Sequence, residues 1–123
     1  MKKRKIRKSD LQNKLWALLS KRIRKERPIC EMCGKRPSTQ VHHIFSRRFK
    51  ATMFDENNLM AICGGCHIKA HTDYEWARNI FIAKLGQSEY DSLYIKANTR
   101  LLNWSIPDYL EAIKAEKKRA KNG

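Results

Sequence analysis

Two Cys-x-x-Cys pairs, Cys30-Glu31-Met32-Cys33 and Cys63-Gly64-Gly65-Cys66, constrain this chain more than any other feature. The spacing lets one turn of backbone offer two thiolates to a tetrahedral cation, and two such turns complete a four-thiolate shell. Glycine stands beside both pairs, at Gly34 and at Gly64-Gly65. Its tolerance of positive φ lets each turn curl around a cation with backbone N–H groups aimed at sulfur. Disulfides are the rival use of four cysteines. The start, Met1-Lys2-Lys3-Arg4-Lys5-Ile6-Arg7-Lys8, has no apolar run behind its basic residues, so no secretory leader is expected. In the reducing compartment that this implies, paired cysteines bind metal more often than they oxidise. A thioredoxin-like redox pair would need a strand-helix setting that neither pair has. Structural Zn²⁺ held by Cys30, Cys33, Cys63 and Cys66 is therefore expected, and it can supply on the order of 10 kcal/mol to a small fold. The filled shell would be dianionic, and Lys35, Arg36 and Lys69 lie close in sequence. A zinc knuckle finds Cys63, Cys66 and His71 but meets Trp76 at its fourth position, and a two-Cys two-His finger needs more residues between Cys33 and His42 than are present.

Charge sets the partner. Lys and Arg total 27 against 12 acids in 123 residues, a formal net charge of +15. Such an excess favours a polyanion, and DNA is the expected partner. No stretch approaches the roughly 18 consecutive apolar residues of a membrane span, so no membrane role is expected. The length suits one domain.

Along the chain, residues 1–8 read as a mobile basic arm. From Ser9 or Asp10 onward, Leu11, Leu15, Leu18, Leu19 and Ile23 fall at helical spacing up to Pro28. Val41-His42-His43-Ile44-Phe45 and Leu59-Met60-Ala61-Ile62-Cys63 are short β-prone runs. Helix returns with Cys66 to His71. A further stripe, Tyr74, Ala77, Ile80, Phe81, Lys84 and Leu85, stops at Gly86. Ser88 can cap the next helix, through Tyr90, Leu93, Tyr94 and Ala97, and Ser105-Ile106-Pro107 starts another, with Leu110, Ile113 and Lys114 on one side. Residues 117–123 form a second basic tail. Trp16, Trp76 and Trp104 read as helix-packing residues rather than base-stacking platforms. The expected fold class is α+β, mainly α: a single domain over residues 9–116 with its core at about 28–72 and helices on either side.

All four histidines, His42, His43, His67 and His71, fall around this core. His67 and His71 are four apart, so a helix presents them on one side, as metal-ligating histidines require. With the cysteine pairs as a clamp, His42 and His43 are brought toward them. Neighbouring strand residues normally face opposite ways, so His42 and His43 share a site only if the strand is sharply twisted or ends there.

Cys30-x-x-Cys33, Val41-His42-His43-Ile44, Asn58-Leu59 and Cys63-x-x-Cys66-His67-x-x-x-His71, taken together, resemble the zinc-bearing branch of the HNH endonucleases, the ββα-metal or His-Me finger nucleases. The likeness covers roughly residues 28–72. Ile82-Ala83-Lys84-Leu85-Gly86 through Tyr90-Asp91-Ser92-Leu93 is more loosely similar to phage recombination proteins of the NinG type. The resemblance implies a zinc-stapled ββα-metal core and a catalytic divalent metal separate from the zinc. It implies His43 as general base, His42 and His67 as metal ligands, His71 as a third ligand, and Asn58 as the residue that pins the loop and orients the strand, with Asn57 as the alternative. The second likeness adds branched DNA as a substrate and the cytoplasm of a bacterial or phage-infected cell as the setting.

The chemistry fits those residue types. Phosphodiester hydrolysis needs a base near neutral pH and positive charge on the phosphate and leaving oxygens. Imidazole, with an ordinary pKa near ~6.5, can be the base, and Mg²⁺ or Mn²⁺ the charge. Imidazole ligands also admit Co²⁺ and Ni²⁺. Arg47, Arg48 and Lys50 follow the histidine strand and are expected to hold flanking phosphates. A non-catalytic zinc-binding nucleic-acid module is the rival reading.

Overall fold

The structure, a computed structural model, describes residues 5–99 and 104–122. Residues 1–4 of the basic arm and Gly123 of the tail lie outside them. The elements are α1 (Lys8–Glu26), β1 (Gln40–His43), a 3-10 turn (Glu56–Asn58), β2 (Leu59–Ile62), α2 (Gly64–Thr72), α3 (Tyr74–Leu85), α4 (Gln87–Ala97) and α5 (Ile106–Asn122). This is the α+β, mainly α class, with one two-stranded sheet among the described residues. The chain divides into two compact units, Ile23–Asn103 and Met1–Arg22 with Trp104–Gly123.

The larger unit is built on a very short hairpin. β1 and β2 are antiparallel, pairing Gln40 with Ile62, Val41 with Ala61, His42 with Met60 and His43 with Leu59. The ladder extends one bond past each end, Thr39 N–H to the Ile62 carbonyl at 2.9 Å and Ile44 N–H to the Asn58 carbonyl at 2.8 Å. Every residue of β2 is buried, so it reads as a continuous apolar run, whereas β1 is only partly covered. Met60 and Ile62 join Phe45, Ala70, Ala77, Phe81, Tyr90, Leu93 and Ala97 in one core with Cys30, Cys63 and Cys66. Since paired residues of an antiparallel ladder share a face, His42 lies on the same face as Met60 while His43 points the other way.

Three helices follow in close succession, each stopped by an identifiable residue. The Asp73 carboxylate accepts the Trp76 N–H at 3.1 Å, capping α3, an arrangement worth about 1 kcal/mol. Gly86, at φ +85°, turns α3 into α4 with no intervening loop. The glycine itself caps α4, so Ser88 lies inside that helix's first turn rather than ahead of it.

In the smaller unit, the part of α1 up to Arg22 meets α5. Tyr109, Ile113 and Glu116 are the buried side of α5, and Leu110 is 47% exposed, so the expected Leu110-Ile113-Lys114 face is rotated. The Ser105 hydroxyl donates to the Asp108 carboxylate and accepts the Asp108 backbone N–H, which caps α5 as its sequence predicts. The Trp104 ring lies 5.2 Å from that of Tyr109. Lys117 to Asn122 are helical rather than a separate tail, and Lys8 already belongs to α1. Glu116 explains the first difference. It is buried, takes Arg22 Nε at 2.7 Å and Arg22 Nη2 at 3.0 Å, and accepts from Arg119 at 2.9 Å, so the basic run begins on an anchored turn.

Candidate metal centres and active site

The four cysteine sulfurs lie within 4.8 Å of one another. Cys33 Sγ and Cys63 Sγ, from different pairs, are 4.0 Å apart. Two Zn–S bonds of 2.3 Å at a tetrahedral angle would place sulfurs about 3.8 Å apart. In each pair the second residue's N–H points at the first sulfur, Cys33 N to Cys30 Sγ at 3.5 Å and Cys66 N to Cys63 Sγ at 3.4 Å. Gly34, at φ +67°, shapes the first turn. Backbone N–H groups of Lys35 and Arg36 pull the Cys33 thiol down to about 6, and that of Cys66 lowers Cys63. Burial instead pushes the Cys66 thiol up, with the neighbouring sulfurs adding to the effect. Four thiolates this close cannot all ionise on their own, so the donor set fits a dication such as Zn²⁺.

Glu31, inside the first pair, stitches this knob to the hairpin. Its N–H donates to the Ala61 carbonyl at 2.8 Å, and its Oε1 accepts the Ala61 N–H at 2.9 Å and Arg27 Nη1 at 3.1 Å. Its Oε2 pairs with Lys84 of α3. The sequence reading passed over Glu31. An acid inside a Cys-x-x-Cys pair in so basic a chain is the signal that could have found it.

The histidines separate into three and one. His42 of β1 and His67 and His71 of α2 each offer a nitrogen, and these nitrogens lie within 4.8 Å of one another. The imidazole centroids are 5.5 Å apart from His42 to either partner and 4.7 Å between His67 and His71. Cys63 produces this approach by capping α2, which starts the helix where β2 ends and places its first two turns beside β1. His67 Nδ1 is buried without a hydrogen-bond partner, the condition of a nitrogen meant for a cation. Burial, then repulsion from His67, His71 and His43, brings His42 down to about 4. Its neutral, ligating form therefore prevails at neutral pH. Phe81 of α3 stacks under His42 at 5.7 Å and fixes the ring plane, a support that spacing alone did not reveal.

His43 stands on the opposite face, at the last position of β1. Its Nε2 is 3.0 Å from the Met53 carbonyl. A carbonyl can only accept, so Nε2 carries the proton and the lone pair lies on Nδ1. Burial holds the ring below its ordinary pKa and Arg47 adds to this, against the Met53 carbonyl, which raises it. A neutral imidazole of fixed tautomer results.

Asn58 is fully buried and holds the loop that supplies Met53. Its Oδ1 accepts the Phe45 N–H at 2.7 Å, and its Nδ2 donates to the carbonyls of Phe45 and Thr52, each at 3.0 Å. That side chain is spent inside the protein on backbone groups of Phe45 and Thr52, and Asn57 is exposed on the same turn. Asp55 caps the turn through Asn57 N–H at 3.0 Å and pairs with Lys96 of α4 at 2.6 Å. Arg47, Arg48 and Lys50 are exposed on the loop after His43. The Arg48 guanidinium lies 5.1 Å over the Phe49 ring, and Lys50 Nζ approaches Met53 Sδ at 3.9 Å.

Residues 30–73 match the family model of the HNH endonucleases. The matched stretch runs from the first cysteine of the four-sulfur cluster to the close of α2. No curated protein and no solved structure matches the chain. No helix among the described residues is long and apolar enough to cross a membrane.

Proposed function

We propose that this chain is a metal-dependent DNA endonuclease in which His43 is the general base. The observation that carries the reading is the split of the two adjacent histidines. His42 completes a cluster with His67 and His71, while His43 is held apart, neutral, with its proton assigned to Nε2. A non-catalytic binding module would have no use for a second, separately oriented imidazole beside such a cluster.

In this reading Cys30, Cys33, Cys63 and Cys66 hold a structural Zn²⁺, and His42, His67 and His71 hold the catalytic cation. When bound there, Mg²⁺, Mn²⁺, Co²⁺ or Ni²⁺ supplies positive charge to the phosphate oxygens and to the departing 3′ oxygen. Nδ1 of His43 takes the proton of the attacking water as its oxygen bonds to phosphorus. The Met53 carbonyl steadies the imidazolium that forms, because the Nε2–H bond to it strengthens as the ring gains charge. Asn58 keeps the Met53 loop and the end of β1 in register for that transfer. Arg47, Arg48 and Lys50 bind flanking phosphates without reading bases.

The test is conversion of supercoiled plasmid to nicked or linear forms with Mg²⁺ or Mn²⁺ and its suppression by EDTA. Matched linear, flapped and four-way substrates follow, the last two because of the looser likeness to recombination proteins. Absence of cleavage with every one of the four cations, in protein that still binds DNA, would leave the non-catalytic module instead.

A further inference from the structure

The smaller unit contains none of the seven cysteine and histidine ligands, yet residues 1–22 and 104–123 hold 14 of the chain's 27 basic residues and only 4 of its 12 acids. Two of those acids are committed internally: Glu116 to Arg22 and Arg119, and Asp108 to the cap of α5. The remaining charge is ordered. Lys14 and Lys21 are exposed seven residues apart on α1, and Lys114, Lys117, Lys118 and Lys121 are exposed on successive turns of α5. None of these six lysines is ion-paired to a carboxylate among the described residues.

Lys14 and Lys117 face each other. Lys14 of α1 is the neighbour whose contact and like charge hold Lys117 of α5 below its ordinary pKa. Like charges brought together across two helices destabilise the pair unless an anion lies between them or against them. The apolar sides of both helices are already used, with Leu11, Leu15 and Leu19 of α1 and Tyr109 and Ile113 of α5 buried. Leu110 is the exposed large apolar residue of α5 among the described residues, too little for insertion into a bilayer. A helix turn advances about 5.4 Å and phosphates about 3.4 Å along each strand, so lysines on successive turns can each meet a phosphate.

We propose that the α1–α5 pair is a second nucleic-acid-binding surface, which grips the phosphate backbone through Lys14, Lys21, Lys117, Lys118 and Lys121. It rests on the reading of this chain as a DNA-acting protein, but it concerns binding and not cleavage.

The experiment uses the full zinc-loaded chain and a short DNA duplex without added Mg²⁺ or Mn²⁺, with binding followed by fluorescence anisotropy across a salt series. Lys14→Gln/Lys117→Gln/Lys118→Gln should flatten the slope of log K against log salt by about 2 to 3, because each phosphate contact contributes about 0.9, and should weaken binding about tenfold or more at low salt. The corresponding triple substitution by Arg should restore both. An unchanged slope in the Gln variant, with an unchanged circular dichroism spectrum, overturns the proposal. So does wild-type binding to phosphatidylserine vesicles that is at least as tight as to DNA and equally dependent on the three lysines. Plasmid cleavage separates the two readings. Lysine-dependent binding without cleavage leaves this surface standing and removes the nuclease, whereas cleavage with an unchanged slope removes the surface alone.

Discussion

Replacing Asn58 by Ala removes three hydrogen bonds at once and strands their partners. The Phe45 N–H loses its 2.7 Å acceptor, and the carbonyls of Phe45 and Thr52 lose donors at 3.0 Å. Asn58 is fully buried, so water does not replace them without a rearrangement of the loop. A net hydrogen bond is worth about 1 kcal/mol, and a buried group left unsatisfied costs about 1–3 kcal/mol. Together these give a loss of about 3–5 kcal/mol, a large part of the roughly 5–15 kcal/mol that holds a domain of this kind together. The corresponding fall in melting temperature is about 10–20 °C. Asn58→Asp should be no milder, because it keeps the acceptor for Phe45 N–H but turns a second acceptor toward two carbonyls. Asn57→Ala, on the exposed side of the same turn, should change stability by less than about 0.5 kcal/mol. Thermal and urea unfolding of zinc-saturated protein, followed by circular dichroism, measure all three. A loss below about 1 kcal/mol for Asn58→Ala, or an equal loss for Asn57→Ala, would refute the account of the loop.

Other expectations concern the two donor sets and the smaller unit. Cys30→Ser or Cys66→Ser should release zinc and unfold the larger unit, since structural zinc supplies on the order of 10 kcal/mol; elemental analysis finding no zinc in wild-type protein prepared without chelator would contradict this. His43→Ala should reduce plasmid cleavage by about 100-fold or more while leaving DNA affinity and Mn²⁺ binding close to wild type. His67→Ala should lose cleavage together with Mn²⁺ binding, as isothermal titration can read, and equal Mn²⁺ affinity in both variants would undo the division of roles. Glu116→Ala should cost about 3–5 kcal/mol, because it leaves Arg22 half-buried without its carboxylate; an Arg22→Met/Glu116→Leu double variant should regain most of that loss.

What the sequence disclosed, and what it hid, divides along the range of the interactions involved. The cysteine pairs are local, four residues each, and their spacing alone announces a tetrahedral shell. The i, i+4 relation of His67 and His71 is equally local, and α2 presents them as expected. Gly86 and Pro28 mark helix ends through backbone conformation, which needs no partner. Glu116 was hidden because an acid beside a basic run reads as a solvated side chain, and Arg22, 94 positions away, makes it an anchor. The same pairing explains why residues 117–122 continue as helix against their own charge repulsion. Met53 was invisible for another reason: it acts through its carbonyl, and a backbone acceptor leaves no mark on residue identity. The opposite facing of His42 and His43 follows from strand geometry, but which of them joins α2 depends on the register of the hairpin. That register is set by long-range pairing of Gln40 with Ile62 and of His43 with Leu59.

The hairpin is only four residue pairs long, yet its phase is fixed at both borders. Beyond Ile62 the chain becomes Cys63, a member of the four-sulfur cluster that cannot shift along the sheet without leaving its three companions. Beyond His43, Ile44 is bonded to the carbonyl of Asn58, whose side chain is locked to Phe45. A chain tethered this way cannot absorb an added or lost residue by sliding. Sliding β1 by one place would put His43 in the slot of His42 and Ile44 in the slot of His43, leaving a histidine cluster with no separate imidazole on the other face. Length changes are thus compatible with this arrangement where the chain is outside the ladder, as in the exposed stretch Ser46–Arg48, and the spacing from His42 to the end of β1 matters to the arrangement as much as the histidines themselves.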